Sequence, residues 1–151
     1  MSKSKIILIF IVIFSIFSIV IFFSKQKSEV LEKSTVILGG KEFFVDLADT
    51  NLKRQKGLSE SSPLLDNQGM FFIFESSGTH GFWMKDMLYS IDIIWIDQNM
   101  QITHIEKSAG PNSYPKTFYP NNPSMYVLEI SSGQSEILGL KIGDAVEFRR
   151  K

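Results

Sequence analysis

The 151-residue chain contains no cysteine. That absence excludes disulfide staples, thiolate metal sites, thiol nucleophiles and a lipid-modified cysteine anchor. Histidine is almost as scarce. His80 and His104 stand far apart, outside any H-x-H or H-E-x-x-H pattern, so no metal and no other cofactor is expected. Ser90 lacks a G-x-S-x-G setting, and no glycine-rich phosphate loop occurs. Nothing in the sequence names a reaction. Proline is rare too, but four of the five prolines fall between residues 109 and 124.

Charge of one sign is also missing overall: 16 basic and 16 acidic residues cancel. The two ends differ, however. Residues 1–33 carry five Lys and two Glu, whereas residues 34–151 carry eleven basic and fourteen acidic groups. A mildly acidic domain has no basic face for neutralising phosphates, so nucleic acid is excluded as a partner.

What is abundant is apolar sequence at the start. IILIFIVIFSIFSIVIFF, residues 6–23, is broken only by Ser15 and Ser18. As a helix these 18 residues extend about 27 Å, near the thickness of a bilayer's hydrocarbon core. A cleavable signal peptide is the rival reading. It calls for a shorter apolar stretch and a small-x-small cleavage site, and the exit FFSKQKSEV offers none. The expected organisation is a tail over 1–5, a retained transmembrane anchor over 6–23, a charged linker over 24–33 and a domain over 34–151. Lys3 and Lys5 compete with Lys25, Lys27 and Lys33 over orientation. The short tail favours an inside amino terminus, and so a single-pass cell-membrane protein with its domain on the extracytoplasmic side.

The domain reads as mainly β. STVIL and KEFFVDLAD flank Gly39-Gly40, a tight-turn pair. Asp49 or Thr50 is expected to cap a short helix running through Lys56 and closed by Gly57. GMFFIF, HGFWMK, IDIIWID, MQITHIEKS, MYVLEIS and AVEFRR read as strands. SGQSEILGL reads as a second helix with Ser132 as cap and Gly139 as stop. About eight strands and two short helices point to a compact β-sandwich or partly closed barrel. The Pro-rich loop 109–124 excludes a helix or central strand.

The segments R-x-x-G-L (Arg54, Gly57, Leu58), GMFFIF, FWMK (Phe82–Lys85), IDIIWID (Ile91–Asp97), YVLEI and GLKIGDAV occur in this order. Together they resemble the bacterial and archaeal family called domain of unknown function 192, over about residues 35–149. FWMK, a short loop and x-D-I-I-x-I-D form the most specific part. The resemblance implies a compact β-rich fold, often behind an export signal or anchor, and no established reaction. Family members commonly read FWMKNT with a proline before the next strand; here stand Asp86, Met87 and Ser90. Ser61 replaces a second Arg often found after G-L, and the Pro-rich loop lacks the Cys that relatives often carry there.

The chemistry question centres on HGFWMKDMLYSIDIIWID, where His80, Lys85, Asp86 and Asp92 interrupt an apolar block. Alternation places Asp92 on an otherwise aliphatic face with Ile94 and Ile96. A buried carboxylate needs partners. If 80–85 and 91–97 form a hairpin, one register sets Asp92 beside Met84, Phe82 and His80, and a slipped one sets it opposite Lys85. Asp92 is then either a structural carboxylate, ion-paired or bound to backbone N–H groups, or part of a polar pocket. The pocket reading gathers Arg54, His80, Trp83, Lys85 and Asp92 under the Pro-rich loop, whose Tyr114, Phe118 and Tyr119 offer stacking surfaces. Glu129, between Leu128 and Ile130, is expected to face solvent or a partner strand. The expected function is an envelope binding or accessory module for a small polar ligand, glycan or peptide. Two alternatives stay open: an envelope hydrolase using carboxylates such as Asp92 and Glu129, and a structural partner of another membrane protein.

Overall fold

The computed structural model describes residues 11–22 and 33–151. The chain divides into two units, Met1–Lys33 and Ser34–Lys151. In the first, residues 11–22 form a helix, α1, with exposed side chains. Its two serines return their hydroxyls to the backbone: Ser15 donates to the Val12 carbonyl and Ser18 to that of Phe14. The expected anchor over 6–23 and linker over 24–33 lie partly outside the described residues. Among the described residues no helix is long and apolar enough to cross a membrane.

The second unit is mainly β, as expected. Its strands are β1 (Ser34–Leu38), β2 (Lys41–Ala48), β3 (Gln68–Gly78), β4 (Phe82–Trp83), β5 (Ile91–Ile96), β6 (Ile102–Ala109), β7 (Thr117–Phe118), β8 (Ser124–Ser131) and β9 (Val146–Arg149). Seven form one sheet in the order β6-β5-β8-β3-β2-β1-β9, antiparallel except for the β2–β3 pair. The sheet curls until its edges meet at the Gln101–Ala145 bridge, where Ile102 N–H donates to Asp144 and Val146 N–H to Met100. Of the two expected architectures, this half-barrel matches the partly closed barrel. Val36, Phe43, Phe71, Ile94, Leu128, Ile130 and Val146 fill its inside. Each such side chain contributes about 1.5–3 kcal/mol by leaving water.

A second apolar cluster covers the outside of the central strands. Phe72, Ile91, Ile93, Trp95 and Val127 pack there beneath Leu58, Met84, Met87 and Phe118 from the overlying segments. Strand β5 is consequently buried on both faces along its whole length.

Local signals account for the first hairpin and the first short helix. Gly39 and Gly40 adopt φ of 55° and 77° in the β1–β2 turn, a region closed to most side chains. Helix α2 (Asn51–Lys56) is capped by Thr50, whose hydroxyl accepts the Lys53 N–H, and is closed by Gly57 at φ 49°.

Two expectations are corrected. Residues 80–85 do not form a strand paired with 91–97. Only Phe82–Trp83 is extended, and it pairs with Thr117–Phe118 in a separate two-stranded sheet. Strand β5 lies between β6 and β8 instead. A strand buried on both faces needs ladder partners at both edges, whereas segment 80–90 serves better as a cover, burying Met84 and Met87 against the outer face. The Trp95 indole N–H donates to the His80 carbonyl at 2.8 Å and fastens that cover. Neither proposed register of Asp92 therefore occurs.

Nor does Ser132 cap the second helix. Helix α3 (Gln134–Ile137) starts after Gly133, at φ 86°, with no cap from its own flank. The cap comes from β5. Asp92 Oδ2 accepts the Ser135 N–H at 2.8 Å and the Ser135 hydroxyl at 2.7 Å. Oδ1 accepts the N–H of Ser108 at 2.8 Å and of Gly133 at 3.1 Å. Fully buried and four times hydrogen-bonded, Asp92 is a structural carboxylate that ties β5, β6 and α3 together. Asp92→Asn turns an amide N–H2 toward N–H donors. We expect it to cost about 3 kcal/mol, on the scale for breaking a buried charged network, as read by urea unfolding of the full chain. A loss below 1 kcal/mol would contradict this role.

Candidate functional site

A cleft of about 780 Å3 opens on the outer face of the sheet. One wall is α2 and the turn after it, Arg54 to Glu60; the other is Gly81–Trp83 with Lys85–Met87. Phe72, Phe74 and Glu129 reach it from the sheet. The walls are fastened to each other. The Ser59 hydroxyl donates to the Lys85 carbonyl at 3.0 Å, and Glu60 N–H donates to the Asp86 carbonyl at 2.8 Å. Glu60 and Asp86 both adopt positive φ, 58° and 56°. Asp tolerates that region better than most residues.

Arg54 is held in place. Its guanidinium donates to the Ile73 carbonyl at 2.7 Å and to Asn51, and lies 5.4 Å from the Phe74 ring centre. The Lys56 ammonium meets Glu60 at 2.8 Å. Among the described residues neither Lys85 nor Asp86 has an ion-pair partner. Trp83 is 56% exposed beside them.

Glu129 is the unusual group. On β8 it stands between Met70 of β3 and Ile93 of β5, on the same face as Val127. Only 6% of the residue is exposed. Its Oε2 is buried without a hydrogen-bond partner. Burial pushes its carboxyl up to about 8, because the charged form gives up its hydration with nothing in exchange. Tyr89 is close enough to feel its charge. Burial raises the Tyr89 phenol foremost; the Ser61 hydrogen bond opposes that rise, and Glu129 adds to it. The Tyr89 hydroxyl pairs with the Ser61 hydroxyl at 2.7 Å and not with Glu129.

Of the residues singled out from the sequence, Arg54, Trp83 and Lys85 meet in this cleft. His80 and Asp92 do not line it. The His80 ring stacks on Phe74 at 3.5 Å between centroids, and its Nε2 donates to the Ser76 carbonyl at 3.1 Å. Asp92 serves α3 on the other face of the sheet. The Pro-rich loop does not roof the cleft either; it packs behind the wall. Phe118 is buried, Tyr114 contacts Trp83 edge-on at 6.3 Å, and Tyr119 is exposed and sits where any side chain at Gly81 would collide with it. Among the described residues, no three His, Asp or Glu side chains gather as for a metal ion.

The family described as uncharacterised ACR, domain of unknown function 192, matches residues 34–148. The chain belongs to this family. UPF0127 proteins of two archaea are similar to it. That of Thermococcus sibiricus is 29% identical over 110 residues, covering 69% of this chain and 65% of the relative. That of Pyrococcus furiosus is 27% identical over 119 residues, covering 74% and 93%. The chain thus spans less than two thirds of the length of the T. sibiricus relative. A Novosphingobium aromaticivorans protein of unknown function has a crystal structure with TM-score 0.70 at 32% identity, covering 76% of this chain and 83% of that one. A Sinorhizobium meliloti protein, provisionally named a transcription regulator, reaches 0.71 at 28% identity, covering 78% and 92%.

In domain of unknown function 192 terms, the cleft brings together the R-x-x-G-L and FWMK segments and the acid of YVLEI. The Asn that relatives commonly carry in FWMKNT suits the positive φ seen at Asp86. Sequence reasoning placed Glu129 toward solvent or a partner strand. The correcting signal lay in MYVLEIS: Val127 is as apolar as Leu128 and Ile130, so both faces of the strand are covered and its acid is covered with them.

The raised carboxyl makes stability depend on pH. Unfolded, Glu129 titrates near 4.5; folded, near 8. Its contribution is full below 4.5 and falls as pH rises through the interval, by up to about 1.4 kcal/mol per unit. Urea unfolding of wild type and Glu129→Gln between pH 4 and 9 checks this. The Gln variant gains relative to wild type across the interval, by a few kcal/mol in total; parallel curves would contradict the assignment.

Proposed function

We propose that this chain is a membrane-anchored, extracytoplasmic binding module whose cleft takes a small polar ligand, a glycan or a peptide segment. The observation that carries the reading is Glu129, a buried carboxyl without a partner in a cleft wide enough for a small molecule. Buried polar groups in folded proteins are nearly always satisfied, and exceptions concentrate at sites that something else completes. A cleft of this volume, in which Leu58, Phe72, Phe74, Phe82, Trp83 and Met87 stand among charged and polar groups, has the size of a ligand site. Arg54, Trp83 and Lys85 belong to it together with Glu129. His80 supports it indirectly by stacking on Phe74.

Anchoring rests on the apolar run 6–23 and on its two serines, whose hydroxyls are satisfied within the helix, as lipid demands. The extracytoplasmic placement rests on the short amino-terminal tail. The hydrolase alternative draws no comparable support. Asp92 pairs with Ile130 and Glu129 with Ile93 across neighbouring strands, so the two carboxyls project from opposite faces.

Replacing Glu129 by Met, which keeps length and removes the polar head, is expected to leave the full chain at least as stable as wild type at pH 7, by urea unfolding. A carboxyl kept for a ligand is held against stability; a loss of several kcal/mol would mean a structural role instead. For location, the chain should resist alkaline carbonate extraction and its domain should be cut by protease added to intact spheroplasts. Release into the wash would contradict the anchor.

A further inference from the structure

We infer that the ligand of this cleft carries a carboxylate on an apolar body, with Glu129 donating its proton to that carboxylate and Lys85 facing it as counter-ion. This deepens the reading of the cleft as a ligand site and rests on it.

The inference follows from what the cleft offers and lacks. No cation or hydrogen-bond donor among the described residues serves Glu129, so its ionised form has no support from the protein. A neutral carboxyl presents an O–H donor. The charges of the walls select what that donor meets. Lys56 and Glu60 cancel at 2.8 Å. Arg54 has only Glu75 near it, at 4.0 Å, and that side chain is 92% exposed. Lys85 and Asp86 remain at the rim, and the Tyr89 hydroxyl is paired with Ser61. With Glu129 neutral, the residues lining the cleft include three cations, Arg54, Lys56 and Lys85, against two acids, Glu60 and Asp86, a surplus of one that favours an anion over an amine. An anion's oxygen beside a neutral carboxyl forms a charge-assisted O–H···O bond, among the stronger hydrogen bonds available to a protein. An ionised Glu129 would repel the same ligand. Phe72, Phe82, Leu58, Met87 and the exposed face of Trp83 supply apolar contact for the rest of the molecule.

The test uses the full chain in detergent micelles with three matched probes: 3-phenylpropionate, 3-phenylpropionamide and 3-phenylpropylamine. Binding is read at the Trp83 indole N–H by 15N NMR, with the fully buried Trp95 as internal control. The propionate is expected to bind best, and about tenfold more weakly at pH 9 than at pH 6, because binding needs the neutral acid. Glu129→Gln, which keeps a neutral donor, should retain binding and lose the pH dependence. Glu129→Met should lose binding with unfolding stability retained, and Lys85→Gln should weaken it several-fold. If the amine binds best, tightening as pH rises, or if the amide matches the propionate, the carboxylate inference is overturned while the cleft remains a ligand site. If no probe moves Trp83 in the folded chain, both readings fall.

Discussion

One buried carboxylate organises the domain. Asp92 sits in the middle of an apolar sheet, and its two oxygens collect four donors from three residues: Ser108 on β6, and Gly133 and Ser135 at the start of α3. Helix α3 spans only four residues and cannot hold itself by propagation. Its start is fixed from outside, by a strand whose position is set by burial on both faces. With β6 and α3 fixed to β5, the inner core closes, and the edges of the sheet are brought together at Gln101 and Ala145.

Glu129 lies one strand away and meets the opposite fate. It shares the outer face with Ile93 and Val127, beneath a cover of loops that shields it from water but supplies no donor. The same desolvation acts on both acids, and the difference is partners. Asp92 is part of the scaffold; Glu129 is a polar group the fold leaves without a partner, at a cleft with charged residues on both walls. This contrast is the physical basis for placing the site at Glu129 rather than at Asp92.

Much of the frame was legible from sequence because it is set locally. Gly39-Gly40 encodes its turn, Thr50 and Gly57 bracket α2, and the parity of IDIIWID placed Asp92 with Ile94 and Ile96 on one face. Backbone N–H bonding was one of the roles open to Asp92, but its donors, Ser108, Gly133 and Ser135, are 16 to 43 residues distant and carry no local signature. Segment 80–90 misled because its apolar alternation suits a strand and a cover equally well, and only the two-sided burial of β5 decides between them. Ser132 looked like a cap because capping is normally local; here a strand side chain had taken the position. The burial of Glu129 was missed because alternation was read from one face of β8 without weighing Val127 on the other.

The most direct measurement is the side-chain carboxyl 13C shift of Glu129 across pH in the full chain, assigned by comparison with Glu129→Gln. The burial and missing partner predict a midpoint near pH 8, several units above an ordinary glutamate. A midpoint near 4.5 would mean that the carboxyl is hydrated or partnered in the folded protein, and the cleft would lose the group that marks it as a site.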